Sequence, residues 1–230
     1  MAQTLQTVGG GYVGEVGSVD QRNKVLRNTY WLLALSMLPT VLGAWVGVTT
    51  GVVATLGVGM SAIVFLGGAF AFMYAIEKTK NSAAGVPILL AFTFFMGLML
   101  SRMLSFVLGL SNGPGLIMMA FAGTGLVFFG MAALSSIIKR DLSTMGKFLF
   151  IGAVLVLVAS IANIWLQSAT LMITLSVLVI GIFSAFIIYD LQRVKNGQET
   201  NYITATLGVY LSVYNVFSAL LSIFGLTSRE

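Results

Sequence analysis

TLMITLSVLVIGIFSAFIIYD, residues 170–190, is an apolar run that contains no charged residue until its last position, Asp190. About 20 apolar residues in a helix span a hydrocarbon core of about 30 Å, because each residue adds about 1.5 Å. Backbone groups find no water in lipid, so they have to be paired within the segment, as they are in a helix. The run therefore predicts a transmembrane helix that ends in a carboxylate.

The composition of the whole chain agrees with a lipid environment. Of its 230 residues, 58% are hydrophobic and 8% are charged, whereas an average soluble domain has about 25% charged residues. The chain has no Cys and no His, which excludes disulfide frameworks, thiolate chemistry, Ser–His triads and His-ligated zinc or haem. We therefore expect a membrane protein with no metal site and no cofactor.

The apolar runs predict seven transmembrane helices, each about 20 residues long or slightly longer. Their predicted bounds are residues 29–49, 53–76, 83–108, 115–138, 148–168, 170–190 and 203–225. The predicted fold class is therefore an all-α membrane protein. We expect a flexible cytoplasmic tail at residues 1–27 and a seven-helix transmembrane domain at residues 28–230.

The positions of the basic residues predict how the helices cross the membrane. Ten of the twelve basic residues fall before the first helix or in alternate connections, and the other three connections have none. The ten are Arg22, Lys24, Arg27, Lys78, Lys80, Lys139, Arg140, Lys147, Arg193 and Lys195. Because basic residues concentrate on the cytoplasmic side, we expect the N-terminus in the cytoplasm and the C-terminus outside. The net charge of +5 thus reflects topology, and no nucleic-acid partner is expected.

The seventh predicted helix carries small and polar residues on one face, at intervals of three and four residues. This polar stripe consists of Thr204, Gly208, Ser212, Asn215, Ser218 and Ser222. Lipid offers no hydrogen-bond partner to Asn215, so we expect this face to be buried and the helix to lie near the centre of the bundle. Two hypotheses account for the stripe: polar contacts that hold helices together, or a pathway for protons or ions.

Asp190 is expected near the cytoplasmic end of the sixth helix, and two hypotheses account for it. In one, it forms an interfacial ion pair with Arg193, three residues later on the same face. In the other, it is a titratable carboxylate that faces the polar stripe and responds to cytoplasmic pH. An intramembrane aspartyl protease would need a second Asp to share a proton, and the apolar runs contain none. No Ser–Lys or Ser–His pair is apparent inside the membrane either, so an enzyme with catalytic residues is not expected.

Arg102 lies inside the third predicted helix, near its outer end. We expect its long side chain to reach outward to the membrane interface, and pairing inside the bundle is the alternative. In the first predicted helix, Gly43, Gly47 and Gly51 recur every four residues. Because this spacing lets helix backbones approach closely, we interpret the repeat as a packing surface.

Several blocks of the sequence resemble a known family. YDLQRV (residues 189–194), followed by TNYITATLGVYLSVYNVFSALLSIFG (residues 200–225), is similar to the C-terminal signature of the Bax inhibitor-1 family. KVLRNTYWLLALS, GTGLVFFGMAALS, ANIWLQ and ETNYITAT resemble one bacterial branch of that family, the modulators of the FtsH protease. The resemblance extends over residues 24–230.

The resemblance implies a fold in which six helices surround a central seventh. It also implies a protein of the bacterial inner membrane that binds FtsH, a membrane-anchored ATP-dependent protease, and limits its attack on membrane proteins. In that branch the N-terminal cytoplasmic tail serves as a handle for the protease, and residues 1–22 occupy its position here. A disordered, weakly charged tail is suited to being gripped and threaded.

The family is also associated with a pH-regulated calcium leak that uses two aspartates. Asp190 matches the first of them, but Ser212 stands where the second would be. One carboxylate and a hydroxyl share a proton or hold a cation less well than two carboxylates do. Asn215 matches an Asn of the family and is expected to bond across helices. Two functions therefore stay open, an FtsH modulator, which is favoured, and a calcium or proton leak.

Overall fold

A computed structural model describes the backbone of residues 11–138, 142 and 144–228, and the side chains from Val19 onward within those ranges. These residues form the helices α1 (Gly11–Thr50), α2 (Val52–Thr55), α3 (Gly57–Thr79), α4 (Gly85–Leu108), α5 (Gly113–Ile137), α6 (Met145–Leu166), α7 (Ala169–Lys195) and α8 (Tyr202–Thr227). Seven of the helices, all except the short α2, are long and apolar enough to cross a membrane. The predicted all-α fold with seven transmembrane helices is thereby confirmed.

The first helix begins earlier than the sequence predicted. Residues 11–27 were expected in a flexible tail, but they are helical and continuous with the membrane part of α1. One physical reason is that Val25 is buried against Val194 and Ala205, because tertiary packing stabilises a helical segment that is too polar to be read as part of a membrane span. Residues 1–10, the rest of the predicted tail, lie outside the described residues.

Helix α8 lies at the centre of the bundle, as predicted. It packs against α1, α3, α4, α5 and α7, and it has the largest buried share of all the spanning helices described. Val209, Tyr210 and Leu221 of α8 are each at most 1% exposed. The polar stripe of the sequence therefore belongs to the helix that most of the others surround.

Helix α6 lies at the edge of the bundle, where it packs mainly against α7. Only Gln167 and Ser168 separate α6 from α7, so α6 has to run beside α7. Its other faces carry large apolar side chains, such as Phe148 and Trp165, which are 75% and 77% exposed and therefore suited to lipid. In the described part of the chain, α1, α4, α5 and α7 pack extensively against α8, and α3 touches it at a few positions.

Helices α1 and α4 form the most extensively packed pair, and glycine allows their close approach. A Cβ atom on Gly43 would lie 2.0 Å from the carbonyl oxygen of Phe94, and one on Gly97 would lie 1.9 Å from the carbonyl oxygen of Thr40. Both distances are far shorter than a van der Waals contact, so any side chain there would push the helices apart. The predicted packing role of the glycine repeat is thereby confirmed for this pair of helices.

The other two glycines of the repeat differ from each other. Gly47 also packs on α4, since a Cβ there would lie 2.4 Å from Oγ of Ser101. Gly51 has a φ of 67°, in the left-handed region that glycine adopts most readily. It ends α1, and together with Gly57, whose φ is 70°, it flanks α2 and allows α3 to return across the bundle.

Candidate functional site

Asp190 lies near the C-terminal end of α7, where its carboxylate contacts Gly208 of α8. A Cβ atom on Gly208 would lie 2.9 Å from Oδ2 and 3.1 Å from Cγ of Asp190. The carboxylate is partly buried, and it occupies space that a side chain on α8 would otherwise fill. The structure therefore places Asp190 against the polar stripe, which is the second of the two positions that the sequence allowed.

Arg193, the other candidate partner of Asp190, is directed elsewhere. Its Nη2 donates to Oε2 of Glu199 at 3.5 Å, and its guanidinium lies 5.7 Å from the centre of the Tyr189 ring. The ion pairs of the described residues do not include one between Asp190 and Arg193. Arg193 therefore pairs with Glu199 among the described residues, because the connection after α7 folds back and brings the carboxylate of Glu199 to it.

Of the five hydroxyl and amide side chains in the polar stripe, those of Ser212 and Asn215 bond within α8. Ser212 is 2% exposed, and its Oγ donates to the carbonyl oxygen of Gly208 at 3.1 Å. Asn215 Nδ2 donates at 2.8 Å to the carbonyl oxygen four residues earlier, whereas a bond across helices was expected. The hydroxyls of Thr204 and Ser222 are buried without a hydrogen-bond partner in the described part of the chain.

These groups give the site one carboxylate beside hydroxyls on a closely packed backbone. Such an arrangement suits the binding or transfer of a proton better than the coordination of calcium, which takes six to eight oxygen ligands, usually with several carboxylates. Ser212 follows Gly208 by one helical turn, so it lies on the same face of α8 as the Asp190 contact. Within the described residues, no three His, Cys, Asp or Glu side chains are placed to hold a metal ion.

Lys195 makes a contact that the sequence did not reveal. Its Nζ donates to the hydroxyl oxygens of Ser135 and Ser136 in the last turn of α5, at 2.7 Å each. Both hydroxyls in turn donate to the carbonyl oxygen of Ala132, at 2.8 and 3.2 Å. A general base would have to accept a proton from serine, whereas this ammonium donates to it. The contact therefore ties α7 to the C-terminal end of α5, where a cation is electrostatically favourable.

Arg102 lies at the opposite end of the bundle from Asp190. Its Nη1 donates to Oγ of Ser61 in α3 at 3.5 Å, and the side chain is partly buried. Arg102 thus contacts a neighbouring helix near that end of the bundle, and its reach to the membrane interface stays a prediction. The structure does not bring it together with the other candidate residues.

Comparisons with known proteins identify a matching family and several similar proteins. The family model described as "Inhibitor of apoptosis-promoting Bax1" matches residues 22–229. A Vibrio cholerae "Uncharacterized membrane protein" is 38% identical over 214 residues, which cover 91% of this chain and 92% of that protein. The Escherichia coli K12 "Modulator of FtsH protease YccA" is 38% identical over 213 residues, covering 93% and 94%. The "Inner membrane protein YccA" of Escherichia coli O6:H1 has the same identity and coverage.

Proposed function

Because the chain belongs to the Bax inhibitor-1 family, we propose that it is a membrane-embedded modulator of an FtsH-type protease. In this proposal it binds the protease and limits the degradation of other membrane proteins, and it acts by binding rather than by catalysis. The observation that carries the proposal is its 38% identity, over 93% of its length, to a protein named as a modulator of FtsH.

The packing of the bundle supports such a role. A protein that occupies a protease without being rapidly consumed has to resist extraction from the membrane. Here the first membrane helix is held to α4 by backbone contacts at Gly43 and Gly97, and α8 is surrounded by five helices. Removing α1 would expose much of this packed interior, so the fold opposes unfolding from the N-terminus.

We further propose that residues 1–10, the segment ahead of α1, are the part that the protease grips. This segment contains no charged side chain, a composition that offers little resistance to threading. The inner membrane of a bacterium is the proposed location, as in the relative from Escherichia coli O6:H1 whose name states it. The proposed orientation has the N-terminus in the cytoplasm, since ten of the twelve basic residues are assigned to that side.

A pull-down from native membranes tests this function. The full-length chain is expected to co-purify with FtsH and to slow the degradation of a membrane substrate. A variant that lacks residues 2–10, the part ahead of α1, should lose both effects. A variant in which the order of those same residues is scrambled is the control, because it keeps length and composition and should behave like the wild type. No co-purification of the full-length chain would overturn the proposal.

A second candidate function, an ion or proton pathway, is supported by one observation, the contact of the Asp190 carboxylate with Gly208 in the central helix. In this alternative, proton or calcium flux through reconstituted liposomes falls when Asp190 is changed to Asn. Glu77→Gln is the matched control, because Glu77 is an exposed acid that pairs with Lys80 on the surface. If the wild type shows no flux while FtsH binding is intact, the alternative is wrong.

A further inference from the structure

The base of α1 is attached to the connection between α7 and α8. Arg22 Nη1 donates to the carbonyl oxygen of Lys195 at 3.4 Å. The aliphatic part of the Arg22 side chain lies beside Gly197, where a Cβ atom would be 3.4 Å from Cδ of Arg22. Gly197 has a φ of 72°, so glycine allows the tight turn that brings this connection to α1.

An apolar layer lies next to this polar contact, toward the membrane. Val25 of α1, Val194 of α7 and Ala205 of α8 form a cluster in which they are 8%, 0% and 4% exposed. One turn further along α1, the carbonyl oxygen of Thr29 lies 3.4 Å from the hydroxyl of Thr206, whose shorter hydrogen bond, of 2.6 Å, goes to the carbonyl oxygen of Tyr202 in its own helix. The base of α1 is therefore held by packing as well as by hydrogen bonds.

The connection between α7 and α8 is itself fixed from two other sides. Asn201 Nδ2 donates to the carbonyl oxygen of Lys80 at 3.0 Å and to Oδ1 of Asn81 at 2.9 Å. Lys195 holds the other end of the connection to the two serines at the end of α5. A pulling force on the connection between α7 and α8 is thus distributed over α3, α5, α7 and α8.

We propose that this attachment, the base clamp formed by Arg22, Val25, Val194, Gly197 and Ala205, decides whether a pull on the N-terminus unseats α1. The inference rests on the proposed function, in which the protease pulls from that end. Because α1 is continuous from Gly11 to Thr50, a force applied ahead of the helix reaches the clamp before it reaches the interface with α4. While the clamp is closed, the bundle bears the force and the chain is degraded slowly.

A matched pair of variants tests the clamp in proteoliposomes that contain FtsH and ATP. Val25→Gln places a polar side chain in the apolar cluster, and Lys24→Gln places the same side chain at the exposed neighbouring position. The half-life of Val25→Gln is expected to fall by about fivefold or more, since degradation follows the population of the opened form. Lys24→Gln should keep the wild-type half-life.

The tail provides an internal control. Val25→Gln that also lacks residues 2–10 should again be long-lived, because the grip of the protease is lost. If it is degraded as fast as Val25→Gln alone, that variant is being removed for general misfolding and the clamp proposal is overturned. Equal half-lives of Val25→Gln and Lys24→Gln, with both bound to FtsH, would also overturn it.

A covalent lock tests the same inference in the opposite direction. Gln21 and Asn196 both line a cleft of about 240 Å³ beside the clamp, and the chain has no Cys. A Gln21→Cys/Asn196→Cys variant linked by a short bismaleimide should be degraded more slowly than the same variant without the linker. An unchanged or shorter half-life would contradict the clamp. Co-purification of the wild type with FtsH is measured separately, so failure of the proposed function is distinguished from failure of the clamp.

Discussion

At the scale of single residues, Gly208 determines whether Asp190 can lie against the central helix. Gly208→Ala places a methyl group 2.9 Å from the carboxylate, so we expect a cost of about 1–3 kcal/mol from overpacking. Gly181→Ala is the control, because Gly181 has no neighbour within 4 Å and gains about 0.5–1 kcal/mol of helix preference. Thermal unfolding in detergent measures both. Equal shifts of the two unfolding temperatures would show that the contact between Gly208 and Asp190 does not affect the stability of the protein.

Lys195 is the second residue whose replacement is expected to lower the stability of the protein. Lys195→Met removes a charged donor from two serine hydroxyls, and we expect the free energy of unfolding to fall by about 1.5–3 kcal/mol. Lys78→Met is the matched control at the same end of the molecule, because exposed Lys78 lies over the Tyr74 ring at 5.5 Å and is expected to contribute about 0.5–1 kcal/mol. Urea or thermal unfolding in detergent compares them. A larger loss for Lys78→Met would contradict the tie between α5 and α7.

Some of these residue positions could be predicted from sequence and others could not. Helical spacing, which is a local property, allowed Asp190 to face the polar stripe but left an ion pair with Arg193 open as well. The partner of Arg193 did not, because Glu199 lies beyond the helix end and is positioned by the turn at Gly197. The contact of Lys195 with Ser135 joins residues 60 positions apart, and no periodic pattern marks such a pair.

At the scale of helices, the interface of α1 with α4 is expected to be the most sensitive to small substitutions. Gly97→Ala would place a Cβ atom 1.9 Å from a backbone carbonyl of α1, and a backbone atom cannot move aside as a flexible side chain can. We expect a loss of about 3 kcal/mol, the upper end of overpacking costs, and a lower yield of folded protein. Gly67→Ala in α3, with open space around it, is the control. Thermal unfolding in detergent compares the two variants. Equal unfolding temperatures for Gly97→Ala and Gly67→Ala would contradict the close packing of α1 on α4.

The membrane spans could be predicted from the sequence, but some bounds and neighbours of the helices could not. Length and hydropathy predicted the spans because each helix has to cross the same thickness of lipid. The start of α1 was missed because a polar segment is helical there through its contact with the α7–α8 connection, and the sequence of α1 alone does not show that partner. The neighbours of α6 could not be predicted from its sequence for a related reason, since apolar side chains suit lipid and protein neighbours equally.

At the scale of the whole molecule, the concentration of basic residues at one end makes a prediction about orientation. Arg22, Lys80, Arg193 and Lys195 all surround or adjoin the α7–α8 connection, whereas Arg102 contacts Ser61 at the other end. With seven spanning helices, the two termini have to lie on opposite sides of the membrane. In the proposed orientation the basic end faces the cytoplasm, as the positive-inside rule predicts, and the proposed protease contact and the base clamp are then both on the side where FtsH would have to pull.

Reporter fusions measure this orientation directly. A reporter that is active only in the cytoplasm should be active when fused after residue 81, and inactive when fused after residue 112 or after the last residue. A reporter that is active only after export should give the reverse pattern at each position, which controls for expression. Changing Arg22, Lys24 and Arg27 together to Gln should increase the inverted fraction, because these charges precede the first span. A C-terminus found in the cytoplasm would contradict the seven crossings, and with them the cytoplasmic placement of both Asp190 and the clamp.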